Sequence, residues 1–221
     1  MKHHWRRAGL IALWLIGASS WALADAVDDY FRAIKADDTR TVTTLLFQGL
    51  SPNTLDPAGM HGLVLAAREG SLKVADLLLS LNATKIEVRT PQDENALMMA
   101  ALGGHEALVK TLIGKGADVN KTGWAPLHYA ATKGHVNVIR ILLEHHAYID
   151  AESPNKSTPL MMAAMYGSPE AVKLLVDEGA DVNLKNDKQM TAYDFAVQAN
   201  RTDSAKLIDV AVQAKRPKGS W

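Results

Sequence analysis

The chain has 221 residues, which is room for one ordinary domain or one extended array of repeats. With 48% hydrophobic and 22% charged residues it can bury a core, and this composition excludes a disordered chain. The 24 basic and 24 acidic residues balance, so net charge gives no reason to expect a nucleic-acid partner, and the absence of cysteine excludes disulfides, thiolate metal sites and thiol nucleophiles.

The first 24 residues have the layout of a secretory signal. Basic residues at positions 2, 6 and 7 precede an apolar run over residues 8–17, and Ala22-Leu23-Ala24 supplies small residues where a signal peptidase cleaves. The alternative is an N-terminal membrane anchor, but the apolar run is short for a span. We therefore expect cleavage before Asp25, a periplasmic or secreted protein, and no membrane contact after cleavage. A secreted chain without disulfides fits a bacterial periplasm best.

An internal repeat occupies nearly all of the remaining chain. Alanine pairs occur at 66–67, 100–101, 130–131 and 163–164. A turn residue follows each pair, and one more continues the series: Gly70, Gly104, Gly134, Gly167 and Asn200. Mostly apolar positions four, seven and eight residues after each turn form one face of a helix. Each unit of roughly 33 residues therefore predicts a short helix, a turn, a second helix and a loop, which bury a core only when stacked.

Two stretches, WAPLHYAATKGH and STPLMMAAMYGS, together with the unit endings KGADVN and EGADVN, resemble the ankyrin repeat. The resemblance implies an all-α fold, in which stacked helix-turn-helix units form a solenoid with β-hairpin loops. The predicted segments are a signal peptide at 1–24, a degenerate N-terminal capping repeat at 25–57, repeats at 58–90, 91–122, 123–154 and 155–186, a C-terminal capping repeat at 187–214 and a basic tail at 215–221. Asp37 replaces the turn glycine in the first cap, and Ser204 puts a polar atom on the apolar face of the last.

The loop VNKTGW, residues 119–124, belongs to a repeat that is three residues short. The loss falls in this loop, so we expect a tighter hairpin than in the neighbouring repeats. A retracted hairpin would leave a notch in the row of loops and would uncover Trp124.

The stretch LHYAATKGHVNVIRILLEHH holds four of the histidines. In the ankyrin family the histidine of the T-P-L-H motif, here His128, hydrogen-bonds within its own turn. His135 and His105 follow a turn glycine where a second helix begins, and His145 and His146 end a helix, where a cation is favourable. We therefore predict structural roles, with no metal site and no cofactor.

The known catalytic motifs do not match this chain. His105-Glu106 begins like the zinc-protease motif H-E-x-x-H, but Val109 stands where the second histidine should be. The stretch Gly114-Lys115-Gly116 lacks the spacing of a phosphate-binding loop. We therefore expect no enzyme activity.

Ankyrin arrays usually bind partners through their concave face, and the resemblance carries variable positions of that face onto this chain. The predicted binding residues are Met60, Arg68, Glu69, Glu94, Leu102, Trp124, Thr132, Lys133, Ser157, Met165, Tyr166 and Met190. Trp124, Met165, Tyr166 and Met190 are large and apolar where exposure is expected, as residues at interface cores are. The alternative is that they pack against neighbouring loops.

The sequence thus predicts a monomeric, non-enzymatic scaffold that binds another protein and no nucleic acid. Two partner classes stay open. One is a toxin delivered to the periplasm, which an immunity protein would cap. The other belongs to stress resistance, because small secreted bacterial proteins of this family are tied to peroxide defence. A metal- or haem-handling protein that uses the histidines and methionines is the third interpretation.

Overall fold

The computed structural model describes residues 23–215, so the predicted signal peptide up to residue 22 and the basic tail from residue 216 lie outside the described residues. The described chain forms helices that follow one another in six pairs. The first helices of the pairs are α1 (23–35), α3 (Gly62–Glu69), α5 (Ala96–Gly103), α7 (Pro126–Lys133), α9 (Pro159–Tyr166) and α11 (Ala192–Gln198). The second helices are α2 (Thr39–Phe47), α4 (Leu72–Ser80), α6 (Glu106–Gly114), α8 (Val136–Glu144), α10 (Pro169–Asp177) and α12 (Thr202–Lys215).

The helices stack in two rows. Helices α3, α5, α7, α9 and α11 contact one another in chain order, and α2, α4, α6, α8, α10 and α12 form the second row. Helix α1 joins the first row, where a Cβ added at Gly62 of α3 would lie 2.7 Å from the Tyr30 hydroxyl. The predicted all-α solenoid of stacked helix pairs is therefore confirmed. Across residues 23–215, no helix combines the length and the hydropathy needed to cross a bilayer.

The alanine pairs let the first helices approach one another closely. Each alanine of the four pairs is at most 1% exposed, so these helices contact a neighbour on both sides. The second helices add larger side chains, and Leu112, Leu142 and Leu175 are all fully buried. A single apolar cluster runs from Tyr30 to Ile208. The core is therefore shared between repeats, as expected for units too small to bury a face alone.

Short polar side chains cap the N-termini of several helices. The Thr158 hydroxyl accepts a hydrogen bond from the Met161 N–H at the start of α9, and Pro159 fills the first helical position. At the start of α10 the Ser168 hydroxyl accepts from the Ala171 N–H, as the Ser-Pro-Glu pattern predicts. These caps satisfy backbone donors that the helix itself leaves unpaired.

The turn residues between paired helices serve two different purposes. Gly134 has a φ of 69°, and a Cβ there would lie 2.9 Å from the Ser168 backbone nitrogen of the next repeat. Asp37, which replaces glycine, adopts a φ of 53° and accepts a hydrogen bond from the Val74 N–H at 2.9 Å, so it caps α4 from the preceding repeat. Gly167 instead has a φ of −81°, and a Cβ there would lie only 2.4 Å from the Ala131 carbonyl oxygen. Close approach, and not a left-handed turn, therefore requires glycine at 167.

The loops differ from the predicted β-hairpins, because residues 23–215 contain no strand and only an isolated bridge between Leu55 and His61. Most of these loops hold a five-residue turn that one backbone hydrogen bond closes, such as that from Ser153 N–H to the Ser157 carbonyl at 3.0 Å. The fourth residue of each turn has a positive φ: Gly59, Asp93, Lys156 and Gln189. One closing bond does not make a strand ladder.

Side chains tie each loop to the loop of the next repeat. The Asn120 amide donates to the His146 carbonyl at 2.8 Å and accepts from the Tyr148 N–H at 2.7 Å. Asn53 makes the same pair of bonds to Ala83 and Lys85. The Glu87 and Asp150 carboxylates accept from the Asp118 and Asp181 N–H groups. We call these four side chains, at Asn53, Glu87, Asn120 and Asp150, the loop ladder.

Candidate protein-binding groove

The predicted binding residues differ in exposure. Arg68, Glu69, Lys133 and Tyr166 are exposed, whereas Met60, Glu94, Leu102, Trp124, Thr132, Met165 and Met190 are half-buried. Ser157 is only 1% exposed, which contradicts its predicted place on the binding surface. Its N–H donates to the Ser153 hydroxyl and its carbonyl lies 3.0 Å from His128 Nε2, so Ser157 holds its loop against the preceding repeat.

Four of the predicted residues line one groove across the first helices. Leu102 lies one residue before the end of α5, Trp124 precedes α7, Thr132 lies in α7 and Tyr166 ends α9. The groove has a volume of about 230 Å³, is lined mainly by apolar atoms, and is completed by His128, Tyr129 and Met162. We call it the Trp124 groove. Stacking of adjacent repeats therefore brings Trp124 and Tyr166 to one site, and the other predicted residues lie outside it.

Trp124 packs more deeply than the sequence suggests. Its ring meets the His128 ring edge to face, with centroids 5.2 Å apart and an interplanar angle of 77°. The side chain is half-buried and packs against the core cluster. Trp124 is therefore less exposed than the shortened loop predicts, and its contacts favour the alternative that it has a role in packing. Tyr166, which is 53% exposed, is the freer aromatic side chain of the groove.

His128 forms the floor of the groove and is fully buried. Its Nδ1 accepts from the Ala125 N–H at 3.1 Å, which confirms the predicted bond within its own turn. Nδ1 is therefore unprotonated, so Nε2 carries the hydrogen and donates to the Ser157 carbonyl of the next repeat at 3.0 Å. Burial lowers the pKa of His128 below its ordinary value of 6.5. The floor of the groove is thus a neutral imidazole that joins two repeats.

Tyr129 lines the groove but is not among the binding residues predicted from the sequence. The side chain is half-buried, and its hydroxyl donates to Glu94 Oε1 of the preceding repeat at 3.4 Å, so Tyr129 links two repeats. Burial, together with the neighbouring Glu94 carboxylate, raises the pKa of Tyr129 to about 12. The position precedes an alanine pair and holds Leu65, Met99 and Met162 elsewhere, which favoured a core assignment. The available signal in the sequence was the hydroxyl group of Tyr129, at a position that is apolar in those repeats.

The shortened loop beside Trp124 is held by a buried lysine. Lys121 has a side chain only 1% exposed, and its ammonium donates to the Asp93 carboxylate of the preceding loop and to the Thr122 carbonyl. The Lys121 hydrogen bond, followed by Arg89, lowers the pKa of Asp93. Gly123 turns the chain with a φ of 81° immediately before Trp124. Lys121 therefore ties the shortened loop to the preceding loop.

The remaining histidines lie apart from the groove floor. His135 Nε2 lies 3.0 Å from the Leu102 carbonyl of the preceding repeat, at the start of α8 as predicted. His145 and His146 are exposed at the end of α8, and His146 has a φ of 64°. Among residues 23–215, no three histidine, aspartate or glutamate side chains come together in an arrangement that could hold a metal ion.

Comparison with known proteins matches the repeats described above. The family profile described as Ankyrin repeats (3 copies) matches residues 30–122, 63–153 and 147–213. Ankyrin repeat and SAM domain-containing protein 6 of Mus musculus is 34% identical over 144 residues, which are 62% of this chain and 16% of that protein. B-cell lymphoma 3 protein homolog of Mus musculus is 32% identical over 152 residues, 66% of this chain and 34% of that protein.

The nuclear factor NF-kappa-B p105 subunit of Gallus gallus is similar to the same extent. It is 32% identical over 161 residues, which are 70% of this chain and 16% of that protein. The chain spans about a third or less of the length of each of these relatives. The similarity therefore concerns a segment of each relative and extends to none of them as a whole.

Proposed function

Because this chain belongs to the ankyrin-repeat family, whose members generally act as protein-binding scaffolds, we propose that it is a non-enzymatic scaffold that binds another protein through the Trp124 groove. The observation that carries the proposal is the groove itself. Aromatic side chains from two successive repeats line it, and one of them, Tyr166, is 53% exposed. Exposed aromatic residues beside an apolar depression have the composition of interface hot spots.

The shape of the groove favours a partner that inserts one apolar side chain. A volume of about 230 Å³ holds roughly one large side chain, and its lining is mainly apolar. Arg68, Glu69 and Lys133 are exposed at the ends of α3 and α7 and would supply a polar rim. Such a site fits a loop or a chain end of a folded partner protein.

Affinity capture with matched variants tests the groove. Tyr166→Ala removes the exposed groove aromatic, whereas Tyr148→Ala removes a tyrosine that is 68% exposed and lies outside the groove. We expect Tyr166→Ala to weaken binding of the captured partner by about 2 kcal/mol, which is roughly 30-fold, and Tyr148→Ala to leave the affinity unchanged. Calorimetry with the purified partner gives both values.

Thermal melting separates binding from packing in this experiment. Tyr166→Ala should leave the melting temperature near that of the parent protein, whereas Trp124→Ala should lower it because Trp124 packs on His128. Equal affinity of the parent, Tyr166→Ala and Trp124→Ala proteins for the partner would refute the groove as the binding site.

We also propose that the protein acts in the periplasm or outside the cell. The support is the signal-like pattern over residues 1–24, with its small residues at Ala22 and Ala24. There the partner would be a delivered toxin or a component of stress resistance. N-terminal sequencing of the exported protein should read DAVDDYF, and recovery of the intact chain from the membrane fraction would contradict the proposal.

A further inference from the structure

The outer face of the last helix pair keeps apolar side chains at positions that other repeats use for stacking. Tyr193 of α11 corresponds to Leu160 of α9, one repeat earlier, and Val197 corresponds to Ala164. Leu160 and Ala164 are 0% exposed because α11 covers them, whereas Tyr193 is 41% exposed and Val197 is 51% exposed. The terminal pair therefore presents a surface that matches the buried contact between repeats.

A groove of about 330 Å³ lies between α11 and α12 on this face. Tyr193, Ala196 and Val197 form its α11 side, and Ala205 of α12 stands where the preceding repeat has the larger Val172. The small alanine opens the groove beside the exposed valine. We call the surface formed by Tyr193, Val197, Arg201, Lys206 and Asp209 the terminal face.

The terminal face carries charges of both signs in one groove. Lys206 and Asp209 lie three residues apart on α12, so they point to the same side of the helix, and both line the groove. Across a two-fold axis, residue i of one copy contacts residue j of the other, and the reverse contact repeats it. With the two-fold axis passing between these two side chains, a second copy would place its Asp209 against Lys206 and its Lys206 against Asp209. The face is complementary to itself.

We propose that two copies of this chain associate through their terminal faces, in place of the monomer expected from the sequence. This goes beyond the proposed function, because none of the residues that line the Trp124 groove belongs to the terminal face, although Arg201 donates a hydrogen bond to the Tyr166 carbonyl at 3.3 Å. At the opposite end of the array, helix α1 exposes Asp28, Asp29 and Arg32, and the last two form an ion pair at 2.8 Å.

The size of the terminal face sets the expected strength of dimer association. Helix α11 has 7 residues and α12 has 14, and stable protein interfaces bury about 800 Å² per partner. A face of two such helices is at the small end of that range. We therefore expect a weak, reversible dimer whose population rises with protein concentration.

Sedimentation equilibrium over a wide concentration range tests the proposal with charge-reversal variants of the chain expressed from its full sequence. Lys206→Glu gives a terminal face with acidic side chains at both positions, and Asp209→Lys gives one with basic side chains at both. Each variant alone should dimerise at least about tenfold more weakly than the parent protein. A mixture of the two should form a one-to-one heterodimer, because opposite charges then meet across the axis.

A third variant and a deletion complete the experiment. Val197→Asp places a charge at the apolar centre and should abolish dimerisation, while thermal melting confirms that the array stays folded. A mixture that stays monomeric while the parent protein dimerises would place the contact elsewhere and overturn the proposal. A parent protein that is monomeric at every concentration would also overturn it, as would a chain that dimerises only after residues 216–221 are deleted.

Discussion

Buried histidines couple the stability of this chain to pH at the level of single residues. Burial lowers the pKa values of His61, His105 and His128 below 6.5, and of the three only His128 is fully buried. Within the described residues, His61 Nδ1 is the one buried side-chain polar atom that has no hydrogen-bond partner. Each of these three rings favours its neutral form in the folded protein. In mildly acidic solution the same rings become protonated in the unfolded chain.

His128→Met should reduce the pH dependence of stability. The unfolded chain takes up a proton below about pH 6.5 while folded His128 stays neutral. The contribution of neutral His128 to the free energy of unfolding is therefore fully present above about pH 6.5 and falls as the pH is lowered. Methionine is the matched replacement, because Met161 occupies the same position one repeat later and its sulfur accepts from the Thr158 N–H at 3.4 Å.

Denaturant melts between about pH 7.5 and 5 measure this effect. The slope of unfolding free energy against pH should be shallower in His128→Met than in the parent protein, and some slope should remain from His61 and His105. His145→Asn is the control, since His145 is exposed. Identical slopes in the parent protein and His128→Met would mean that His128 takes up its proton at the same pH in the folded and unfolded states.

The residues that the sequence located correctly are those whose role depends on spacing alone. A period of roughly 33 residues places Ala131, Gly134 and Leu142 at equivalent points in each repeat, and stacking then dictates their burial. The proximity of Trp124 and Tyr166 follows from the same register. Ser157 and Tyr129 were placed wrongly or missed because their environment depends on side chains of a neighbouring repeat. Period alone does not specify such contacts.

At the scale of the element, a buried side chain ties the shortened loop to the loop before it. Neighbouring loops close with a backbone hydrogen bond around a residue of positive φ, such as Lys156. In the short loop the Lys121 side chain reaches back to Asp93 and closes the gap from one loop to the next. The sequence predicted the shortening but not this contact, because the pairing joins residues 28 positions apart.

Lys121→Met tests whether this contact holds the loop. Methionine keeps most of the buried stem and removes the ammonium, so two hydrogen bonds are lost at a cost of about 1–2 kcal/mol. The Asp93 carboxylate is 57% exposed and can be hydrated in the variant, which limits the loss. The pKa of Asp93 should rise toward its ordinary value, because the Lys121 hydrogen bond, which lowers this pKa most, is gone. An NMR titration of the Asp93 carboxyl and a denaturant melt measure the two effects.

Lys173→Met is the control for this experiment. Lys173 forms an exposed ion pair with Asp177 within α10, and pairs of that kind contribute less than about 0.5 kcal/mol. Equal losses in the two variants, with an unchanged pKa for Asp93, would show that Lys121 does not hold the shortened loop.

At the scale of the whole molecule, the core has no centre, and its contacts run only between adjacent repeats. Leu142 of α8 and Ile208 of α12 occupy the same position in their repeats, and both are fully buried. Helix α8 contacts α6 and α10, whereas α12 contacts α10 alone in its row. Equal burial therefore does not mean an equal number of neighbouring repeats.

Leu142→Ala should destabilise the array more than Ile208→Ala. The first leaves a cavity between three stacked helices and should cost about 2–5 kcal/mol, which is the usual range for such truncations. The second affects a terminal pair that can open without disturbing the rest, so its cost to global unfolding should be smaller. Denaturant melts give both values. Equal costs would indicate that the chain unfolds as a single cooperative unit.

The loop ladder gives this array a preferred length along its loop side. Asn53, Asn120 and Asp150 each bind the backbone of the next loop, so the loops cannot separate without breaking hydrogen bonds at every step. The row of second helices has fewer hydrogen bonds between neighbours, such as that from the Asn137 amide to Glu106, and relies mainly on side-chain packing, which yields more gradually. Under tension along its axis, the loop side of the molecule would resist extension more than the row of second helices. The molecule would bend toward the loop side before it stretched, as the opposite side opened.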